Sequence, residues 1–373
     1  MSVNLLVIDY DSSHNWYEAF RGQTVRVNGV DCTINVEQTA FEHISLSASA
    51  DTAVLDIASS PDPIFGSTQK YVRRFQPDFC LIRNVARGVH LRDYRNILYG
   101  LHYAGVGSVN SLSAIISCQE RAVVYAELNK LRRTMGDAFP FIPATYHSNL
   151  DDALNISPVQ FPSVVKVGTS CAGYGKLKAD DAIAFRDIRT TLSMVNEYFT
   201  VESFQNCVCD VRVQKIGTRV RAFTRSSDSW KGNMGNTTPY NEIEVSPLFQ
   251  GAALAAGGLF GGLDILSVDF LQLEDGRFVI LEVNDTATGL NSLHYDEDVA
   301  DIVGITVQRF EEHMTHSIKR QQEICRQFED VSGSVIAVEE GPKKPLPFLG
   351  VLTGMAEAAA RGQKVDEIAN EVV

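Results

Sequence analysis

No stretch of this 373-residue chain approaches the roughly 18–20 consecutive apolar residues that a helix needs to cross a bilayer. The most weakly polar run, 251–263, is too short and is rich in Gly and Ala. A secretory pattern is also missing, because the apolar run 5–8 is followed at once by Asp9 and Asp11. Positive charge is in deficit: 33 Lys and Arg against 46 Asp and Glu leave a formal charge of −13. That balance argues against a phosphate-backbone binder, so nucleic acid is not an expected partner, although a local basic pocket for a small polyanion remains compatible with it. The seven cysteines are an odd count without metal-ligand or disulfide-framework spacing. Cys207 and Cys209, two apart on an expected strand, read as two core thiols, and a reducing, cytoplasmic setting follows as an expectation. There is no Walker A loop and no dinucleotide fingerprint after the first strand, which makes a nicotinamide oxidoreductase a poor reading. No internal repeat is visible.

What is present is ordinary globular material, 45% hydrophobic and 21% charged, of a length that suits two or three packed subdomains. The first third alternates strand and helix signals. Residues 3–8 and 79–82 are short apolar runs, and 94–103 carries Ile97, Leu98 and Leu101 at helical spacing before Gly105. This alternation predicts an α/β domain with a parallel sheet. Residues 54–69, with Pro61 and Pro63, read mostly as a loop. Further on, 123–131 reads as a helix, 139–143 as a break and domain hinge, 161–167 as a strand and 180–198 as an amphipathic helix. An extended piece is expected at 201–204. Hairpins are expected at 210–216 with 220–224, around Gly217, and at 265–273 with 278–283, across Glu274-Asp275-Gly276. A helix is expected over 298–328. The resulting division is 1–112, 113–330 and a tail of linker and terminal helix or flexible arm, 331–373.

Three constellations carry chemistry. Lys166 ends a strand and is followed by Gly168, Gly173, Tyr174, Gly175 and Lys176: a cation on a rigid strand, then a loop whose glycines let backbone N–H groups approach phosphate oxygens. By itself such a loop is as readily a hairpin connection. Asp269, Glu282 and Asn284 lie on the two strands of the late hairpin. Glu282 and Asn284 are two apart and share a face, with Leu281 and Val283 pointing the other way. Three oxygen donors there suit a hard divalent cation, Mg²⁺ or Ca²⁺. Asp210, Arg212 and Gln214 alternate with valines, and Arg212, Arg225 and Lys231 form a cationic set able to stabilise a phosphoryl group; a solvated salt-bridged face is the plainer alternative.

The order of these sets resembles the ATP-grasp superfamily over residues 143–312, with the alternating N-terminal unit as a Rossmann-like pre-ATP-grasp domain. A narrower resemblance runs from 3 to 312. Pro77-Asp78-Phe79-Cys80-Leu81-Ile82-Arg83, Gly105-Val106-Gly107-Ser108-Val109-Asn110, Asp210-Val211-Arg212-Val213-Gln214-Lys215-Ile216-Gly217 and Phe260-Gly261-Gly262-Leu263-Asp264-Ile265 are similar to synapsin segments.

The resemblance implies ATP as ligand, with Lys166 at the α/β-phosphates and Arg121, where synapsins have lysine, also at the phosphates. The loop 168–176 would be a lid. Glu202, Ser203 and Phe204 would lie beside adenine, Glu202 accepting from its amino group. Arg225, Lys231 and Asn233 would face the γ-phosphate, and Asp269 and Glu282 would hold the metal. It further implies a homodimer or tetramer, cytoplasmic and peripheral on synaptic vesicles, that contacts the cytoskeleton and regulates neurotransmitter release. Asp269 replaces an expected glutamate. Asn284 followed by Gly289 is closer to catalytically active ATP-grasp ligases, in which Arg212 and Arg225 would be catalytic. An ATP-dependent carboxylate–amine ligase is therefore the alternative reading. Arg132-Arg133-Thr134 lacks the intervening residue of a basic kinase site.

Overall fold

The computed structural model describes residues 1–10, 14–58, 72–88, 92–148, 159–169, 173–195, 197–227, 229–231, 240–290 and 292–332, from 316 onward by backbone alone. Strand β1 (Ser2–Ile8) is the first apolar run, and Leu5, Leu6, Val7 and Ile8 are all fully buried. An uninterrupted apolar strand needs cover on both faces, which is the condition of a parallel sheet. After a short helix α1 (Trp16–Ala19) come β2 (Thr24–Val27), β3 (Val30–Thr39), β4 (Ile44–Ala48), β5 (Ala53–Ala58), β6 (Val72–Phe75) and β7 (Phe79–Ile82). Helix α2 (Arg95–Tyr103), β8 (Gly107–Ser108) and helix α3 (Leu112–Cys118) complete this region.

The first sheet has the order β2-β3-β1-β7-β8 and is parallel except for the edge strand β2. The expected α/β domain with a parallel sheet is observed. Strands β4, β5 and β6 form a separate antiparallel sheet. The loop expected from 54 is thus a strand as far as Ala58, because Leu55 and Ile57 alternate inward against the α2 side of the core; residues 59–69 lie outside the described residues.

The middle of the chain contains α4 (Arg121–Met135), β9 (Ala144–His147), β10 (Ser163–Val167), β11 (Lys176–Ala179), α5 (Ala182–Leu192) and β12 (Phe199–Ser203). The four strands make an antiparallel sheet, β11-β10-β12-β9. Asp181 caps α5, its carboxylate accepting from the N–H groups of Ile183 and Ala184. The helix ends at Leu192 rather than 198. It packs Phe185 and Leu192 onto the sheet, and the chain must then turn back so that Phe199 can enter β12 between its two neighbours.

The last sheet, β15-β14-β13-β16-β17, is fully antiparallel and uses β13 (Cys207–Ile216), β14 (Arg219–Arg225), β15 (Asn241–Ile243), β16 (Ile265–Leu273) and β17 (Phe278–Asn284). Both expected hairpins are present. Gly217 turns the first at φ 59, where a Cβ would also meet the Ile305 Cδ1 atom at 2.9 Å. Helix α6 (Pro247–Gly257) holds most of the Gly/Ala-rich run; its Ala252, Ala253 and Ala256 are buried, and side chains this small let the helix sit close on the sheet. Helix α7 (Tyr295–Ser332) then crosses back to the first sheet, where Val299, Ile302, Val303 and Phe310 share a core with Leu5, Val7 and Phe79. The tail 333–373 lies outside the described residues.

One core assignment is corrected. Cys207 is exposed and Cys209 only half-buried, with a register shift between them in the β13–β16 pairing. The irregularity breaks the alternation that would have put both thiols on one face.

Candidate functional site

The polar face of the β13–β17 sheet forms a floor. Arg212, Asp269 and Glu282 stand in register on three neighbouring strands. The Arg212 guanidinium donates to both carboxylate oxygens of Asp269, at 2.9 and 3.0 Å, and Asn284 Nδ2 donates to Asp269 Oδ2 at 3.0 Å. The expected trio Asp269, Glu282 and Asn284 does come together. The carboxylate beside Arg212 raises the arginine's already high pKa further. A bulge follows the Asp269–Glu282 pair: Phe270 pairs with Ile280, and Leu281 is the extra residue. Leu281 therefore lines the cleft together with Glu282, instead of pointing away from it as strict alternation requires.

The β9–β12 sheet forms the opposite wall. Lys166 on β10 is 1% exposed, and its ammonium meets Glu202 Oε1 on β12 at 2.7 Å and donates to the Tyr125 hydroxyl on α4 at 2.9 Å. Glu202 is also buried. Lys176 on β11 reaches across the cleft to 3.9 Å from Glu282 Oε2. With Lys176 as the largest influence, and Lys166, Arg121 and Arg212 beside it, the Glu282 carboxyl is pulled down to about 2 against the opposing effect of burial. It is ionised at neutral pH.

Between the two walls lies a cavity of about 320 Å³. Lys166, Lys176 and Arg212 face one part of it, and Ile142, Val164, Phe204 and Leu281 supply apolar lining. Ser203 lines it as well. At its rim Phe204 meets Trp230 edge-on at 6.1 Å, and Lys178 sits 4.2 Å from the centre of the Phe204 ring. Arg225 lines the cavity 3.6 Å from Asp210 and over the Tyr240 ring; Lys231 lies over Trp230 at 5.3 Å. A second cavity of about 430 Å³ adjoins, sharing Arg212 and Glu282 as a common wall and lined further by Arg121, Asn284 and Asp285.

Most expected site residues therefore converge. Arg121 differs: it lines the second cavity, and its Nη1 donates to the Gly168 carbonyl at 3.3 Å, at the entry to the lid loop. Gly168, Gly173 and Gly175 all have positive φ, at 50, 83 and 63°. Tyr174 is 47% exposed. Residues 170–172 of the loop, and Asn233, lie outside the described residues. Among the described residues no three His, Cys, Asp or Glu side chains gather as a metal cluster; the trio is two carboxylates and an amide. Sequence reasoning missed Tyr125, whose ring reads as core on an apolar helix face, and the role of Leu281, which depends on the bulge.

Comparison with known proteins follows this division. The synapsin pre-ATP-grasp domain matches residues 1–108, and the synapsin ATP binding domain matches residues 110–312. The chain is 33% identical to the Drosophila melanogaster protein Synapsin over 315 residues, 82% of this chain and 30% of that protein. It thus spans about a third of the length of that relative. Among solved structures, the D-alanine–D-alanine ligase of Bacillus anthracis, complexed with ATP, is similar with a TM-score of 0.53 at 13% identity, covering 85% of this chain and 99% of that one. The ATP-grasp ligase PsnB, complexed with its minimal precursor, is similar with a TM-score of 0.52 at 15% identity, covering 83% of this chain and 99% of that one. At such identities the likeness establishes the fold, which is that of the ATP-grasp proteins.

Proposed function

The chain belongs to the synapsin family, and on that premise we propose that it binds ATP with a divalent cation between the β9–β12 and β13–β17 sheets and acts as a vesicle-associated regulator of neurotransmitter release. One observation carries the nucleotide reading: Lys166 and Lys176 from one sheet, and Arg212 and Glu282 from another, on four strands, line one cavity. The base would lie among Ile142, Val164, Phe204 and Leu281, with Glu202 in reach of its amino group. The phosphates would lie toward Lys166 and Lys176, with Arg225 and Lys231 at the far end. Asp269, Glu282 and Asn284 are hard oxygen donors on one face and fit Mg²⁺ or Ca²⁺. A cation there would neutralise the phosphate charge, while the lysines and arginines orient the chain of phosphates. Bound nucleotide would favour the closed arrangement of the two sheets by mass action.

The vesicle role rests on family membership. It carries with it a cytoplasmic location, peripheral contact with the vesicle surface and cytoskeleton, and a homodimer or tetramer. Calorimetric titration with ATP in Mg²⁺, in Ca²⁺ and in EDTA tests the site, with Lys166→Ala expected to weaken binding severely in a folded protein. Unchanged affinity would remove the cleft assignment. Co-flotation with purified synaptic vesicles, with and without ATP, tests the role; absence of the protein from the vesicle fraction would remove it.

A second reading is favoured by the adjoining cavity behind Arg212 and Glu282 and by Asn284 at its edge. In a carboxylate–amine ligase a carboxylate oxygen bonds to the γ-phosphorus as ADP leaves, and an amine nitrogen then displaces phosphate from the acyl phosphate. Arg212 and Arg225 would stabilise the transferring group. ADP release dependent on an amino- or carboxylic-acid acceptor supports this reading; binding without turnover across such a panel excludes it.

A further inference from the structure

We infer that Tyr125 is a positioning residue of the nucleotide site, its hydroxyl sharing the Lys166 ammonium with Glu202 so that the lysine is held between the two and stays available to phosphate. The inference rests on the nucleotide reading above and deepens it.

Lys166 has two partners that pull in different directions. Glu202 lies on the neighbouring strand of the same sheet, at the end of the cavity assigned to the base. Tyr125 lies on helix α4, packed in the core of the opposite sheet with Phe141, Val213 and Ile280. The Lys166–Tyr125 bond therefore ties the β9–β12 sheet to helix α4 and the core of the other sheet, across 41 residues of sequence. Without the hydroxyl the buried ammonium keeps only Glu202, already at 2.7 Å, and nothing balances the pull of that carboxylate.

The hydroxyl is separable from the rest of the side chain. The Tyr125 ring meets Phe141 edge-on at 5.1 Å and contributes a face to Lys166 at 5.6 Å, and a phenylalanine ring would do both. A phenol oxygen in a site 6% exposed is unfavourable unless it is hydrogen-bonded, and among the described residues its one partner is Lys166. Packing accounts for an aromatic residue at 125, and only the lysine accounts for the oxygen.

The test is a double-mutant cycle read by nucleotide affinity in Mg²⁺, using wild type, Tyr125→Phe, Lys166→Met and the double variant, each titrated with ATP, ADP and adenosine. Tyr125→Phe is expected to weaken ATP and ADP about tenfold, as for loss of a hydrogen bond to a charged group, and to leave adenosine unchanged. In the Lys166→Met background the same change is expected to have less than about a twofold effect. Equal weakening of adenosine would mark a merely structural role and overturn the proposal. So would undiminished ATP affinity in Tyr125→Phe when Lys166→Met is impaired, or additive effects in the double variant. If Lys166→Met itself leaves ATP affinity intact, the nucleotide reading fails first and this one with it.

Discussion

Arg212 and Asp269 face each other across the β13–β16 ladder and are joined by two parallel hydrogen bonds of 2.9 and 3.0 Å, so the aspartate expected to hold a metal is already neutralised by an arginine. The pair is 23% and 16% exposed, between a surface and a buried ion pair. Asp269→Asn leaves the guanidinium without its counter-charge and is expected to destabilise the fold by roughly 1–3 kcal/mol. Urea denaturation checks the value, and an unchanged midpoint would show that the pair contributes nothing net.

Glu282 gives a prediction with opposite signs in two conditions. Its ionised carboxylate sits among Lys176, Lys166 and Arg212, where it offsets part of their attraction for phosphate unless a cation covers it. Glu282→Gln is expected to strengthen ATP binding in EDTA and to weaken it in Mg²⁺, by about tenfold or more. Titration in the two buffers decides it; a change of the same sign in both would remove Glu282 from the metal's ligands.

The walls of the cleft are also latched outside it. Arg87 joins Glu120 at the start of α4 at 2.6 Å and Glu197, just before β12, at 2.9 Å. Arg87→Met is expected to speed amide hydrogen exchange in β10 and β12 of the nucleotide-free protein, with high salt producing the same change in wild type. Saturating ATP should suppress the difference. Exchange unaffected by the variant would mean that the sheet is held by other contacts.

Asp78 gives a pH dependence away from the cleft. Burial pushes its carboxyl up from 3.8 to about 6, against a hydrogen bond from the Asn4 N–H that favours the ionised form. A folded pKa above the unfolded one contributes stability that is complete below about 3.8 and is lost as the pH rises through about 6. Asp78→Asn, neutral throughout and still able to accept from Asn4, should exceed wild type by up to about 3 kcal/mol above that window and match it near pH 3.8. Thermal melts across the range test this, and a gap independent of pH would count against it.

Much of the site was legible because its parts are local patterns. Lys166 before a run of glycines, and Glu282 two residues before Asn284, need only strand alternation to be read as aligned donors. Both hairpins announced themselves through Gly217 and Glu274-Asp275-Gly276, and the observed pairing follows. Expectations failed where alternation itself breaks. The bulge that turns Leu281 into the cleft, and the shift that leaves Cys207 exposed, each insert or displace one residue, and apolar pattern does not mark such a step.

From the sequence alone came the alternating N-terminal domain and the residue types at the cleft, because these depend on short-range spacing of charge, glycine and apolar side chains; the family came from the resemblance of whole segments. Tertiary structure decided which of those residues meet: that Lys166 finds a phenol 41 positions earlier, that Arg212 takes Asp269 as its partner, and that Arg121 opens onto a different cavity. Contacts between sheets are set by how whole faces pack, and the free energy of that packing belongs to no local segment of the chain.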